Sequence, residues 1–147
     1  MFTREEHEQG LAVFVARNHR PRFVAALGDP KLRRKLRSKL AHFDWLDARY
    51  VQVVHTPDPA ALARTLRREG AGATCVLVAQ DDDLDGRELP LEEALRRVLH
   101  GDDGALISCV PGRLAVFSDE LRDGDVYPRA AEPTLSSLRW MHSSRSR

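Results

Sequence analysis

Residues 74–79 (TCVLVA) form an uncharged, mostly apolar stretch of the length of a strand. Strand side chains alternate between the two faces of a sheet, so a strand with no polar alternation is covered on both faces. Such strands are typical of parallel sheets flanked by crossover helices. The stretch therefore predicts the central strand of an α/β sheet.

Strand and helix patterns alternate around this segment. Residues 50–54 are rich in β-forming side chains, and a helix is predicted over 59–69, with Asp58 as its N-cap and Gly70 after its end. A second amphipathic helix is predicted over 90–100. These elements predict the order β-α-β-α, with right-handed crossovers between any parallel strands.

Two further apolar segments, 105–110 and 113–118, flank the dipeptide Pro111-Gly112. Proline fixes the first central angle of a type II turn, and glycine accepts the positive φ that follows. The pattern predicts an antiparallel hairpin at one edge of the sheet.

The N-terminal third is predicted to be helical. A helix over 4–17 begins at the capping box of Thr3 and Glu6, a short second helix ends near Gly28, and a third begins after Asp29. In the third helix one apolar stripe is expected to pack against the rest of the protein, and basic side chains occupy the other faces. The stripe comprises Leu32, Leu36, Leu40 and Phe43.

The expected fold is therefore α/β: three helices followed by β-α-β-α-β-β, with a small mixed sheet that ends in an antiparallel hairpin. The length of 147 residues fits one hydrophobic core. We expect a single α/β domain over 1–133 with a helical subregion over 1–43, followed by a partly disordered tail over 134–147.

The expected localisation is cytoplasmic. The charged N-terminus lacks the apolar segment of a signal peptide, and no apolar run is long enough to span a membrane. Two cysteines, Cys75 and Cys109, lie inside apolar runs and are expected to be buried free thiols.

The acidic segment 81–86 carries the sharpest local motif. Asp81, Asp83 and Asp85 alternate before Gly86, and Glu92 follows at the spacing D-x-D-x-D-G-x5-E, which resembles an EF-hand calcium loop. The resemblance implies Ca²⁺ bound by these four carboxylates. The alternative is a solvated acidic turn before a helix N-terminus.

The same D-x-D-x-D-G string follows an apolar strand, and in this respect it resembles the acidic motif of toprim domains in type II topoisomerases. That resemblance implies that Asp81, Asp83 and Asp85 hold Mg²⁺. Where the toprim family places Glu-Gly after an earlier strand, this chain has residues 55–58 (HTPD).

His55 and Asp58 follow the first predicted strand. If the first two strands are parallel, both residues lie at the same sheet edge as the acidic segment, and open α/β sheets bind ligands at that edge. A sheet-edge pocket is one prediction for His55 and Asp58. The other is that Asp58 only caps its helix.

Charge is distributed unevenly although the net charge is only +1. Residues 17–39 hold nine basic residues and one acidic residue, whereas 81–103 hold nine acidic residues and three arginines. The basic helix could bind phosphate, an acidic protein partner or the protein's own acidic half. Its candidate anion- or partner-binding residues are Arg33, Arg34, Lys35, Arg37 and Lys39.

No pattern of nucleophilic catalysis or of a phosphate-binding glycine loop is present in the sequence. Our leading hypothesis is a small intracellular, non-enzymatic binding or regulatory module that acts through a protein partner and needs no cofactor. The alternative is a divalent-metal-dependent nucleic-acid-binding protein or enzyme that uses the 81–85 loop and the 31–39 helix. A third hypothesis is self-association through the hairpin edge or the tail around Trp140.

Overall fold

The computed structural model describes residues 2–53, 58–100, 103–118 and 138–142. Its α-helices are α1 (Arg4–Gly10), α2 (Arg20–Gly28), α3 (Pro30–Lys39), α4 (Pro59–Arg68) and α5 (Leu91–His100). Its strands are β1 (Val51–Val53), β2 (Thr74–Ala79), β3 (Glu88–Pro90), β4 (Ala105–Val110), β5 (Leu114–Ser118) and β6 (Leu138–His142). Short 3₁₀ turns occupy Leu11–Phe14, Arg17–His19, Leu40–His42 and Ala48–Tyr50.

The predicted α/β class with three N-terminal helices is confirmed. The capping box forms as expected, since the Glu6 amide donates to Thr3 Oγ1 at 3.0 Å and the Thr3 amide donates to Glu6 Oε1 at 2.9 Å. The first helix is shorter than predicted: α1 ends at Gly10, and the chain continues as a 3₁₀ turn to Phe14.

The six strands form one sheet in the order β1-β6-β5-β4-β2-β3, and every pairing between them is antiparallel. Strands β1 and β2 do not pair with each other, because β6, β5 and β4 lie between them. Strand β3, which the sequence did not predict, explains why β2 and β4 are antiparallel. The chain reverses after β2 and returns through β3 before α5 crosses the sheet, so it enters β4 antiparallel to β2.

The predicted hairpin of β4 and β5 forms across Pro111 and Gly112. The Arg113 amide donates to the Val110 carbonyl at 2.9 Å, and Gly112 adopts the positive φ of 72° that the turn requires. The hairpin lies inside the sheet rather than at its edge, because β2 pairs with β4 and β6 pairs with β5. Neither hairpin strand exposes an edge through which two copies could pair.

Part of the segment predicted as a tail belongs to the sheet. Residues 138–142 form β6, which pairs with β5 on one side and with β1 on the other. The Trp140 indole Nε1 donates to Gln52 Oε1 on β1 at 2.8 Å. The rest of the predicted tail lies outside the described residues.

Helices cover both faces of the sheet, which explains the apolar character of β2. Cys75, Leu77 and Ala79 pack in a core with α4 and α5, whereas Val78 faces a second core with the N-terminal helices. The predicted stripe of α3 contributes Leu36 and Leu40 to this second core, but Leu32 is exposed. None of the described helices is both long enough and apolar enough to cross a membrane.

Two glycines allow the N-terminal helices to approach the sheet closely. A Cβ at Gly104 would lie 2.2 Å from the Leu40 carbonyl oxygen, and a Cβ at Gly10 would lie 2.5 Å from the Gly112 nitrogen. In both cases the neighbouring atom is backbone, which cannot move aside as a side chain can. Both contacts therefore require glycine.

A buried polar pair joins α1 to the central strand β4. His7 Nδ1 lies 2.8 Å from Ser108 Oγ, and both side chains are buried. Burial lowers the pKa of His7 from its ordinary value of 6.5, although Glu88 and Glu6 act in the opposite direction. The folded state therefore favours neutral His7.

We expect the free energy of unfolding to decrease as the pH falls from 7 to 5. Below pH 6.5 the unfolded chain binds a proton at His7 more readily than the folded chain, so acidification favours unfolding. In His7→Asn, whose amide can still bond Ser108, this pH dependence should be weaker. Urea unfolding at both pH values measures it, with His42→Asn, an exposed histidine, as the control. Equal pH dependence in the two variants would contradict the assignment to His7.

Candidate functional site

The acidic segment forms the connection between β2 and β3. The Asp81 carbonyl accepts hydrogen bonds from the amides of Leu84 and Asp85, each at 3.0 Å, and Asp81 Oδ1 accepts one from the Asp83 amide at 2.8 Å. Gly86 follows with a φ of 76°, and its amide donates to the Leu77 carbonyl at 2.8 Å. These bonds account for the alternating aspartates and the glycine as the residues of a tight turn.

The Asp85 carboxylate is turned inward rather than toward solvent. It accepts a hydrogen bond from the Ala79 amide at 3.0 Å, and it accepts two from Arg33, from Nε at 3.0 Å and from Nη2 at 3.0 Å. Arg37 Nε lies 3.6 Å from the same carboxylate. Asp85 thus links the end of β2 to two arginines of α3.

Arg33 binds a second carboxylate, Glu8 of α1, in the same two-pronged way. Its Nη1 and Nη2 atoms donate to Glu8 Oε1 and Oε2, each at 2.9 Å, and Nη1 also donates to the Leu27 carbonyl at 3.3 Å. A guanidinium has five N–H groups, and those of Arg33 match its five acceptor contacts. Only 11% of the Arg33 side chain is exposed.

The carboxylates hold Arg33 in its charged form. Burial by itself lowers the pKa of the guanidinium, but the hydrogen bonds and charges of Glu8 and Asp85 outweigh burial and raise it. Bidentate arginine–carboxylate contacts of this kind are strong and directional. We call Glu8, Arg33, Asp85 and Arg37 the Arg33 network.

Arg37 extends the network to the carboxyl end of β2. Its Nε donates to the Ala79 carbonyl at 2.6 Å, and its Nη2 donates to the Gln80 carbonyl at 2.7 Å and pairs with the Asp82 carboxylate. The guanidinium therefore satisfies the carbonyl groups at the point where the strand ends and the acidic turn begins.

The structure thus brings the predicted anion-binding residues Arg33 and Arg37 together with the predicted metal ligand Asp85, as partners of one another. The other three basic candidates are exposed. Arg34 and Lys35 form no ion pair with the residues that the structure describes, and Lys39 lies over Trp45. The inner side of α3 therefore binds the protein's own acidic turn, as one of our alternatives predicted.

The four predicted metal ligands do not come together. Asp85 is bound by Arg33, Asp81 Oδ1 is bound by the Asp83 amide, and Glu92 is exposed in the first turn of α5. Within the described ranges, no group of three or more His, Cys, Asp or Glu side chains is arranged to hold a metal ion. The calcium and magnesium hypotheses thus gain no geometric support from these residues.

The predicted sheet-edge pair is only partly described. Asp58 caps α4, with its Oδ1 accepting a hydrogen bond from the Ala60 amide at 3.1 Å, whereas His55 lies outside the described residues. With three strands between β1 and β2, the ends of these strands are about 19 Å apart at about 4.8 Å per strand spacing. The sheet-edge pocket of His55 and Asp58 therefore stays a prediction.

Both cysteines are buried and free. Burial raises the pKa of Cys75 to about 12 and raises that of Cys109 well above its ordinary value. A thiol must ionise to act as a nucleophile or a metal ligand, so burial holds both cysteines in an unreactive form.

Sequence reasoning missed two features. One is Glu8, whose only local signal is its i,i+4 spacing from Arg4, with which it forms an ion pair at 3.1 Å. The other is Trp45, which stacks on His19 at 4.7 Å between ring centroids and also contacts Arg22 and Lys39. The basic density of residues 17–39 pointed to this area, but an isolated tryptophan gave no indication of its neighbours.

Comparisons of this chain with protein-family models, with curated proteins and with solved structures found no match.

We expect Arg33→Met to lower the free energy of unfolding by about 3–5 kcal/mol, because it removes the bidentate partner that two largely buried carboxylates share. Arg34→Met, on the exposed side of the same helix, should change it by no more than about 0.5 kcal/mol. Urea unfolding followed by circular dichroism measures both values. Equal effects of the two substitutions would show that the network contributes nothing to stability.

Proposed function

We propose that this chain is a small intracellular, non-enzymatic binding module whose exposed α2–α3 face binds an acidic segment of a protein partner. The observation that carries the proposal is that α3 still presents unpaired cations after the Arg33 network has formed. Lys31, Arg34 and Lys35 are exposed and form no ion pair with the described residues. Such a patch attracts negative charge and accelerates association with a complementary surface.

Exposed apolar side chains on the same helices support a protein partner. Val24 of α2 and Leu32 of α3 are 40% and 38% exposed, and α2 packs against α3. Apolar contacts surrounded by charge are the usual composition of a protein interface. A phosphate backbone would gain little from Val24 and Leu32.

The alternative, a metal-dependent nucleic-acid-binding protein or enzyme, agrees less well with the site. It would require Asp85 for metal and Arg33 and Arg37 for phosphate, whereas Asp85 is already engaged by both arginines. Proteins that bind single strands also use exposed aromatic rings on which bases stack. Trp45, the tryptophan next to the basic helices, is only 8% exposed.

A cavity beside the acidic turn is too small to hold a substrate. It lies between Leu84, Val98 and Gly104 and has a volume of about 20 Å³. This volume accommodates about one water molecule. The proposal therefore places function on the helical surface rather than in this cavity.

The test is the binding of a fluorescent peptide of alternating Glu and Leu residues, measured by anisotropy at low and moderate salt. We expect the triple variant Leu32→Ser, Arg34→Gln, Lys35→Gln to bind this peptide at least about tenfold more weakly than the wild type. The control, Arg64→Gln with Arg96→Gln, removes two exposed arginines from α4 and α5 and should bind normally.

Two further ligands complete the design. One is a peptide of alternating Lys and Leu residues, and the other is a single-stranded oligonucleotide with the same negative charge as the Glu–Leu peptide. The proposal predicts no binding of the Lys–Leu peptide and weaker, more salt-sensitive binding of the oligonucleotide. Tighter binding of the oligonucleotide, or unchanged peptide binding by the triple variant, would contradict it.

A further inference from the structure

Three basic side chains surround Trp45. They lie where α2 begins and α3 ends, at the end of this helix pair opposite to Gly28. The His19 ring stacks on the indole with an interplanar angle of 4° and a centroid separation of 4.7 Å. Arg22 Cζ and Lys39 Nζ lie 5.4 and 5.6 Å from the centroid of the same ring. We call His19, Arg22, Lys39 and Trp45 the Trp45 cluster.

The cations of the Trp45 cluster have no carboxylate partner among the described residues. Arg4, Arg33, Arg37 and Arg49 each form an ion pair, whereas Arg22 and Lys39 form none with these parts of the chain. The face of an aromatic ring attracts cations, which helps to hold them in place. It does not neutralise them, so the cluster keeps its positive charge for a ligand.

A hydrogen bond between Arg22 and His19 leaves N–H groups of the Trp45 cluster available to a ligand that accepts hydrogen bonds. Arg22 Nη2 lies 3.3 Å from His19 Nδ1, and a guanidinium can only donate, so Nδ1 is the acceptor. The neutral His19 ring then carries its proton on Nε2. The cluster therefore offers N–H donors from three different side chains, and its ring acceptor, His19 Nδ1, is already occupied by Arg22.

We propose that the Trp45 cluster binds a phosphate monoester, carried by a phosphorylated side chain of the acidic partner segment. A phosphate monoester has nearly two negative charges and three strong acceptor oxygens, which match two cations and a third N–H donor. This inference rests on the proposed function, because it specifies the chemistry of the partner that lies along α2 and α3.

The position of the cluster agrees with this partner. Lys39 follows Lys35 by one helical turn, about 6 Å along α3, so an acidic segment on the exposed face reaches Lys39 without a break. The indole of Trp45 is covered by its own neighbours, with 8% exposed, so it offers no ring face on which a base could stack. The cluster therefore favours a single phosphate on a protein over a nucleic-acid strand.

The first experiment titrates the full chain with inorganic phosphate while its two indole N–H resonances are recorded by NMR. Trp140→Phe identifies the two peaks. We expect the Trp45 peak to shift in a saturable manner, the Trp140 peak to stay in place, and sodium chloride of equal ionic strength to have no such effect. Arg22→Gln and Lys39→Gln should each abolish the shift, and Lys31→Gln, an exposed lysine at the other end of α3, should retain it.

The second experiment compares the acidic peptide in three forms, with serine, phosphoserine or glutamate at one position. Phosphoserine should tighten binding about tenfold over serine, and Arg22→Gln should remove this gain, so that the variant binds the phosphoserine and serine peptides with equal affinity. Absence of a phosphate-dependent shift, an equal gain from glutamate, or preference for an oligonucleotide over the phosphopeptide would overturn the inference.

The two experiments separate this inference from the proposed function. Loss of serine-peptide binding in the Leu32, Arg34, Lys35 variant, together with no effect of phosphate, would support the binding module and refute the phosphate site. A phosphate shift in a protein that binds no acidic peptide would refute the proposed partner and support the anion site.

Discussion

The contact between one guanidinium and two carboxylates joins the helical layer to the turn at the end of β2. Arg33 of α3 binds Glu8 of α1 and Asp85 of the acidic turn, so three segments far apart in sequence meet at one side chain. Removing three charges from water is costly, and the cost is offset only when geometry is good and every donor has an acceptor. Arg33 meets that condition, since its five N–H groups match five acceptor contacts.

The same contact divides α3 into two sides with different roles. Arg33 and Arg37 pair with carboxylates of the acidic turn, so the positive charge of α3 and the negative charge of the turn partly neutralise each other within the fold. Lys31, Arg34 and Lys35 face outward, and Lys39 lies over Trp45 at the end of the helix. The charge available to a partner is therefore smaller than the sequence indicates and is concentrated along the outer face of α2 and α3.

Local signals in the sequence predicted local structure well. The capping box of Thr3, the N-caps Asp29 and Asp58, and the Pro111-Gly112 turn all form as expected. Strand pairing was less predictable, because helices on both faces give the same apolar pattern to parallel and antiparallel strands. The interior strand β6 was missed because its pairing partners lie far back in the sequence, at residues 51–53 and 114–118, and no short-range pattern reports such pairing. Among the site residues, Asp85, Arg33 and Arg37 were recognised as important, but their pairing depends on the packing of α3 against the turn after β2.

The central claim is that Arg33 and Asp85 stabilise the fold through each other, and a double-mutant cycle tests it most directly. Urea unfolding would be measured for the wild type, Arg33→Met, Asp85→Asn and the double variant. Direct pairing predicts a coupling free energy above about 1 kcal/mol, with the double variant less destabilised than the sum of the single variants. Effects that add to within about 0.5 kcal/mol would contradict the account, because they would show that the two side chains act independently.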